Sequence, residues 1–500
     1  MKTTNLLAAA LVAFGLATTA SAQTKIYISG APAVRQSATV AIEHLLAANG
    51  GTITRAFNGT NVLVANVVTW TGGNIGGTPV TIKLAYTGSA AGYQAVAGQI
   101  PVRFLPDSVN GLGQGQTDVN ASLGAAAESH VPDFTFADEF QASTPWIGTN
   151  SLAKTAYATG GATYGSPQAY QTLTDDVVGI LPLRVVASPG APFTNITPQL
   201  AQQVYEGGGI PLSQFTGNAS DVNSTVYGLG RDVGSGARTL WLAETGVGTN
   251  TLVQDYQPAV TVTNKSVVKI IPFAGGSNYT SAPTVTLGAP SSGTTATAHA
   301  NLTGGKVTSY TIDNPGSGYA AAPTITIAGG GGDGAYGTVV IGGGTVTANP
   351  LYANQDLIGI HSTNGNGGYS TFGAELTAIA ANPSAAGGYF IAYVADADAQ
   401  TALAAGAVEV AWNGVFLGTL GTSGTASPAL ANGQYSLWGY IRIAHLSNLV
   451  TTGSGASIQG KTEKAISDQL RNYDAQVLLS DVNVQRLTDG GQIFQGQWGQ

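Results

Sequence analysis

Apolar and polar positions change period along this chain, and the changes mark out its parts. Residues 25–29 and 80–86 (VTIKLAY) alternate as strands do, and 177–186 (VVGILPLRVV) reads as a long apolar strand. Between and after them, 32–48, 93–99 and 237–243 carry helix-like spacing, 32–48 with a clear apolar face. The pattern resumes late in the chain, with helices predicted at 369–381 and 461–479 and a strand at 388–394. Strands alternating with helices predict an α/β sheet.

Residues 258–350 break this rhythm. Val267-Val268-Lys269-Ile270-Ile271 followed by Gly276-Ser277-Asn278-Tyr279 and Ala282-Pro283-Thr284-Val285-Thr286 recurs forty positions later. The second copy is Val307-Thr308-Ser309-Tyr310-Thr311, then Gly316-Ser317-Gly318-Tyr319 and Ala322-Pro323-Thr324-Ile325-Thr326. A partial third copy lies near 343–347. Each unit is expected to be two strands joined by a Gly-Ser turn and a tyrosine, a β-repeat inserted into the α/β body. The unit resembles a glycine-rich repeat of large bacterial surface proteins.

The first 22 residues have the pattern of a secretory leader: Lys2, an apolar run over 6–17, and Ala20-Ser21-Ala22 as the cleavage site. Cleavage near Ala22 would place the protein in the periplasm or outside the cell, with no membrane insertion. The sequence has no cysteine, so the mature fold has no disulfide and no thiolate chemistry. Charged residues are 9% of the chain, against roughly 25% in average globular proteins. The net charge of -8 argues against a nucleic-acid partner. An anion would have to be held by local geometry against that charge.

Three segments offer such geometry. Ser29-Gly30-Ala31-Pro32, Thr87-Gly88-Ser89-Ala90-Ala91-Gly92 and Arg231-Asp232-Val233-Gly234-Ser235-Gly236-Ala237 each join a strand, a small-residue turn and a helix. A helix start presents unpaired N–H donors and the positive end of the dipole. Small residues let an anion approach that backbone, and Ser29, Ser89 and Ser235 add hydroxyls. Arg231 can grip two oxygens of a tetrahedral anion. Asp138, closing Asp133-Phe134-Thr135-Phe136-Ala137-Asp138, would accept the proton of hydrogen phosphate and repel sulfate, which has none to give at neutral pH. Signals for chemistry are thin. The five histidines are isolated in sequence, no G-x-S-x-G elbow exists, and the glycine run at 329–332 lacks the following Lys-Ser/Thr of a phosphate loop. Asp396 and Asp398 alone fall short of a calcium site. An enzyme, a metal and a cofactor are not expected.

In their order along the chain, these motifs resemble those of the phosphate-binding protein of bacterial ABC importers, within the type II periplasmic-binding fold. The Ser29-Gly30-Ala31 turn is similar to that family's first ligand loop. The segment 86–92 resembles the second, and Arg231-Asp232-Val233-Gly234-Ser235-Gly236-Ala237 resembles its "R-x-DGSGT" loop. Asp133 to Asp138 is similar to its "DFGASD" stretch. Asn195-Ile196-Thr197-Pro198 and Gly365-Asn366-Gly367-Gly368 match later segments.

The resemblance implies a two-lobed, hinged α/β protein with its ligand between the lobes. Ligand contacts are carried over to Ser29, Gly30, Ala31, Ser89, Asp138, Arg231, Ser235, Gly236 and Ala237. The first lobe would comprise 23–182. The second would comprise 183–399, interrupted by the 258–350 insertion, and 400–500 would return to the first. A monomer working with an ABC permease is implied. Val233, Ala237 and Ala33-Val34 depart from the family pattern, removing a hydroxyl and an acid, while Arg35 and Arg238 are additional cations nearby. The alternative is a surface or adhesion protein that keeps the binding fold without transport.

Overall fold

The computed structural model describes residues 23–496, apart from 50–52, 59–60, 107–126, 145, 150–168, 208, 233, 250, 252, 254, 258–260, 343–344, 349–355, 359–387 and 422–423. The leader at 1–22, the helix expected at 369–381 and the 365–368 motif lie outside the described residues. Among the described residues no helix is long and apolar enough to cross a membrane.

The body is a mixed α/β sheet, as the alternating pattern predicts. Its first strands are β1 (Thr24–Gly30), β2 (Thr54–Phe57), β3 (Val67–Ile75), β4 (Thr78–Ala85) and β5 (Phe134–Ala137). The 14-residue β6 (Thr174–Ala187) follows, then β7 (Asn195–Ile196), β8 (Gly209–Pro211) and β9 (Thr225–Gly228). The helices are α1 (Arg35–Ala48), α2 (Ser89–Ala97), α3 (Pro198–Gly207), α4 (Gly236–Thr245), α5 (Asp396–Ala404) and α6 (Ile458–Gln469).

The strands of the repeat segment are β10 (Ser266–Ser277), β11 (Thr284–Leu287), β12 (Thr297–Thr303), β13 (Lys306–Asn314), β14 (Ile325–Ala328) and β15 (Asp333–Gly342). The body then resumes with β16 (Gly388–Ala395), β17 (Val408–Trp412) and β18 (Trp438–His445).

β6 is the pivot of the architecture. Its first part, Thr174 to Pro182, pairs antiparallel with β18. From Leu183 onward the same strand pairs with β16 on one side and β17 on the other. One sheet thus runs β2-β3-β4-β1-β5-β18-β6 and a second runs β8-β9-β16-β6-β17-β7, sharing only β6. The second sheet draws on residues beyond 400 through β17, and the chain crosses back with β18. Continuous apolar character in β6 follows from burial along its length: every residue from Val177 to Ala187 is buried. The hydrophobic core follows the strands under both sheets, from Ile26, Ile28 and Trp70 to Val185, Tyr393 and Trp412.

The late helix is shorter than its pattern predicts. α6 stops at Gln469 and a wider π-type turn over Leu470–Asp474 carries the chain on. Glu463 on α6 is fully buried, and neither carboxylate oxygen has a hydrogen-bond partner among the described residues. Burial, then the neighbouring Asp176, pushes its carboxyl up to about 8. A folded-state pKa above the unfolded one stabilises the fold at low pH, and that contribution is lost as pH rises towards 8. Glu463→Gln should therefore match the parent in melting temperature at about pH 5 and exceed it by about 1–3 kcal/mol of stability at about pH 9. Parallel melting curves across that range would refute this.

The repeat folds differently from two side-by-side hairpins. β10 pairs with β15, β11 with β14, and β12 with β13. The two strands of a copy thus do not pair with each other. Each copy supplies three strands, and every rung joins one copy to the other. The repeated tyrosines show why. Tyr279 and Tyr319, forty positions apart, are both buried. The Tyr279 hydroxyl accepts the Ala335 N–H at 3.3 Å, and the Tyr319 hydroxyl accepts the Ala296 N–H at 2.8 Å. Each ring therefore reaches into the other copy, and the core of Val267, Ile270, Leu287, Tyr319 and Val339 belongs to both. Neither copy can bury its apolar face alone. The repeat strands rest on α1, where Tyr336 donates to Glu43 and Gln36 reaches Thr338 at 3.3 Å.

Candidate functional site

The first turn ends β1. Gly30 has φ +137°, a backbone shape that side chains resist, and Pro32 then opens a short 3-10 turn leading into α1. The Ser29 hydroxyl is buried with no hydrogen-bond partner among the described residues. The Ala31 N–H donates to the Phe136 carbonyl at 2.9 Å, so that amide is already engaged. The Gly30 carbonyl accepts the Gly88 N–H at 3.0 Å, which ties the first turn to the second.

The second turn holds Gly88 at φ +106°, and α2 begins at Ser89, four residues before the position expected from sequence. Ala90 and Ala91 favour the helix. Gly92 is tolerated inside it because a side chain there would strike Thr135 and Gly30. Starting early turns Ser89 inward. Its hydroxyl accepts the Asp138 N–H at 2.9 Å and donates to Glu139.

The third turn leads into α4. Ser235 is its N-cap residue in extended conformation, and its hydroxyl makes no capping bond. By helix geometry the Gly236, Ala237 and Arg238 amides have no intrahelical acceptor. This start meets α2 directly: the Ala91 N–H donates to the Gly234 carbonyl at 3.3 Å. Any side chain on Gly236 would collide with the carboxylates of Asp138 and Glu139. The starts of α2 and α4 therefore face each other with two acids between them.

Arg231 is buried, 1% exposed, rather than paired on the surface with Asp232. Its N–H donates to the Tyr393 hydroxyl at 3.2 Å. It lies within electrostatic reach of Asp138, Asp232, Asp398 and Arg35. Asp396 and Asp398 occupy the first turn of α5 instead of a loop. Asp396 bonds Arg184, and Asp398 faces the junction. Burial pushes Asp398 up to about 6, opposed by Arg35 and Arg231. Arg238 is committed elsewhere, to Asp255 at 2.6 Å and to the Arg231 carbonyl at 3.0 Å. Arg35 donates to Val64 at 2.5 Å and to Asn66 at 2.9 Å.

Of the residues singled out from sequence, the structure gathers Ser89, Asp138, Arg231, Ser235, Gly236 and Ala237 at the junction of the two sheets. Ser29 and Gly30 lie next to it on β1, held by the bond to Gly88. Ala31 follows with its amide turned away. Glu139 was not foreseen. Successive strand residues point to opposite faces, so two adjacent acids do not suggest one shared site. Only the chain's turn after β5, which ends at Ala137, brings both carboxylates to Gly236. Burial raises the carboxyl pKa of Asp138 against the pull of its Glu139 and Ser89 hydrogen bonds. Burial and the Asp138 charge hold Glu139 well above the usual carboxylate range. One oxygen of each, Asp138 Oδ1 and Glu139 Oε1, is buried without a hydrogen-bond partner among the described residues.

No protein-family model matches the sequence, and no curated protein matches it. Several solved structures do resemble it. One is assigned as the substrate-binding protein of a phosphate ABC transporter in Clostridium perfringens and has phosphate bound. It shares 9% identity over 90% of this chain and 93% of its own, with a TM-score of 0.37. An ABC-type phosphate transport receptor from Vibrio cholerae shares 12% identity over 90% and 98%, with a TM-score of 0.35. PstS from Borrelia burgdorferi shares 8% over 90% and 93%, with a TM-score of 0.33. These likenesses are distant.

Proposed function

We propose that this chain is a secreted solute-binding protein that captures a protonated oxyanion, hydrogen phosphate first among them, between two lobes hinged at β6. One observation carries the reading. The start of α4 and the buried Arg231 meet, across the junction of the sheets, a buried carboxylate oxygen on Asp138 that has no hydrogen-bond partner among the described residues. Donors suit the anion's oxygens and the acceptor suits its proton. The starts of α2 and α4 supply amide donors from opposite sides, Ser29, Ser89 and Ser235 supply hydroxyls, and Arg231 supplies charge. Contacts made from both sides favour the closed arrangement over the open one. The lobes correspond to the two sheets, joined at Pro182 and Leu183. Capture rather than catalysis is the role, with delivery to an ABC permease as the use and a monomer as the working form.

Phosphate should raise the melting temperature of the mature protein. At a concentration about 100-fold above Kd the gain is about 2.7 kcal/mol. Arsenate should act likewise and sulfate should not. Arg231→Met should remove the shift. If phosphate, arsenate, sulfate and molybdate all leave the melting curve in place, oxyanion capture is wrong.

A further inference from the structure

The junction holds more acid than an anion site needs. Arg231 and Arg35 are the guanidiniums within reach of each other there; Asp138, Asp232 and Asp398 face them, and Glu139 adjoins Asp138 as a fourth acid. Arg238 also pulls on Asp232, but its charge is offset by Asp255 at 2.6 Å. Fully ionised, the cluster would carry two negative charges in excess, and a dianion entering it would add two more. Charges cannot accumulate this way in a buried site, and the lowest-cost relief is to take up protons.

The placement of Glu139 says where the proton goes. Asp138 and Glu139 adjoin in the chain, are 2% and 0% exposed, and both lie against Gly236 at the first position of α4. The surrounding elements do little to compensate them. On α2, the Ser89 hydroxyl serves both residues, and the Tyr93 hydroxyl donates to the Glu139 carbonyl at 2.9 Å rather than to its carboxylate. On β18, Arg442 is ion-paired with Asp175 and stacks 3.6 Å above the Phe140 ring. The C-terminal segment contributes another acid, Asp489, whose carboxylate accepts the Phe140 N–H at 2.8 Å. Glu139 is thus placed beside Asp138 and in reach of Asp489, and Arg442, which also acts on it, shares its charge with Asp175 and Asp489.

We infer that Glu139 makes occupancy of this site proton-coupled: with Asp138 it presents a two-carboxylate acceptor to the start of α4, which admits an oxyanion only together with an added proton. The inference rests on the oxyanion reading above and narrows its ligand class to species that bring O–H groups, or that enter as a proton is taken from solvent. A site with Asp138 alone needs only the proton that hydrogen phosphate already carries. The second carboxylate asks for one more, shared by the pair, which titrates as a unit. Affinity should then rise as pH falls.

The test is calorimetric titration of the full-length mature protein with inorganic phosphate over a pH series, each point in two buffers of different ionisation heat, for the parent and Glu139→Gln. Phosphate's own titration is common to both proteins, so the difference isolates Glu139. The parent should take up one proton more than the variant. Its affinity should gain up to about tenfold more per unit fall in pH. At a pH high enough to ionise the parent's pair, Glu139→Gln should bind phosphate more tightly than the parent. Equal proton counts and parallel pH profiles would overturn the inference while leaving oxyanion capture standing. Failure of phosphate to bind at any pH would overturn both. Should the variant not fold, infrared difference spectra of the parent serve instead: a protonated-carboxyl band must appear on adding phosphate, and its absence defeats the proposal.

Discussion

Gly30→Ala should cost the protein at least about 3 kcal/mol of folding stability, enough to remove much of a typical domain's margin. Two penalties coincide at this position. The backbone sits at φ +137°, where a side chain is strained by about 1–3 kcal/mol. The new Cβ would also point into the backbone of β5, 2.5 Å from the Phe136 nitrogen and 2.8 Å from its carbonyl carbon. Phe136 cannot retreat cheaply, because its carbonyl accepts the Ala31 N–H and its strand is paired on both sides, with β1 and β18. Chemical denaturation measures the loss directly. Gly190→Ala is the control: it shares a positive φ of +77° but has nothing within 4 Å of the new methyl. It should cost only about 1 kcal/mol. Equal losses at the two sites would show that the crowding against Phe136 counts for nothing.

The second large effect concerns the ion pair behind the site. Arg238→Met leaves Asp255, which is 0% exposed, without its 2.6 Å partner, and should destabilise the protein by about 3–5 kcal/mol. Adding Asp255→Asn to the same chain should recover much of that loss, because an amide tolerates burial better than an unpaired charge. Burial already raises the Asp255 carboxyl pKa, with Arg238 pulling the other way. Without the arginine the pKa goes further up. A raised folded-state pKa confers stability below the unfolded value that disappears as pH climbs through the folded one. The Arg238→Met deficit should therefore be smaller near pH 4 than near pH 8, as measured by denaturation at both. A deficit that does not vary with pH would mean Asp255 stays neutral in both proteins.

Much of the body was legible in the chain because its signals are local. The apolar run at 177–186 lies inside β6, the alternation at 80–86 belongs to β4, and the small-residue turns precede helix starts. Ser89, Asp138, Arg231 and Gly236 come together because each sits at a strand end or helix start, where order along the chain constrains position. Partnership was what the sequence withheld. Nothing in 267–286 shows that its two strands pair with the neighbouring copy, since an alternating strand is satisfied by any apolar partner. Arg238 read as a spare cation near the site, but a buried aspartate seventeen positions on takes it. Glu139 escaped notice because its importance comes from burial beside a second acid, which depends on α4 arriving from the other sheet.

The register of β10 and β15 has a consequence for how such a protein arises. Ser266 lies opposite Gly342, and further out Asp255 lies opposite Ile358. Antiparallel neighbours are about 5 Å apart, so chain leaves and re-enters the body at almost one point. A splice at that stem would ask little of the scaffold, and genes could gain or shed the segment as a cassette. Removing it would strip the Tyr336 hydroxyl from Glu43, the acid that also holds Arg55 at 2.7 Å and the Trp70 indole at 3.1 Å.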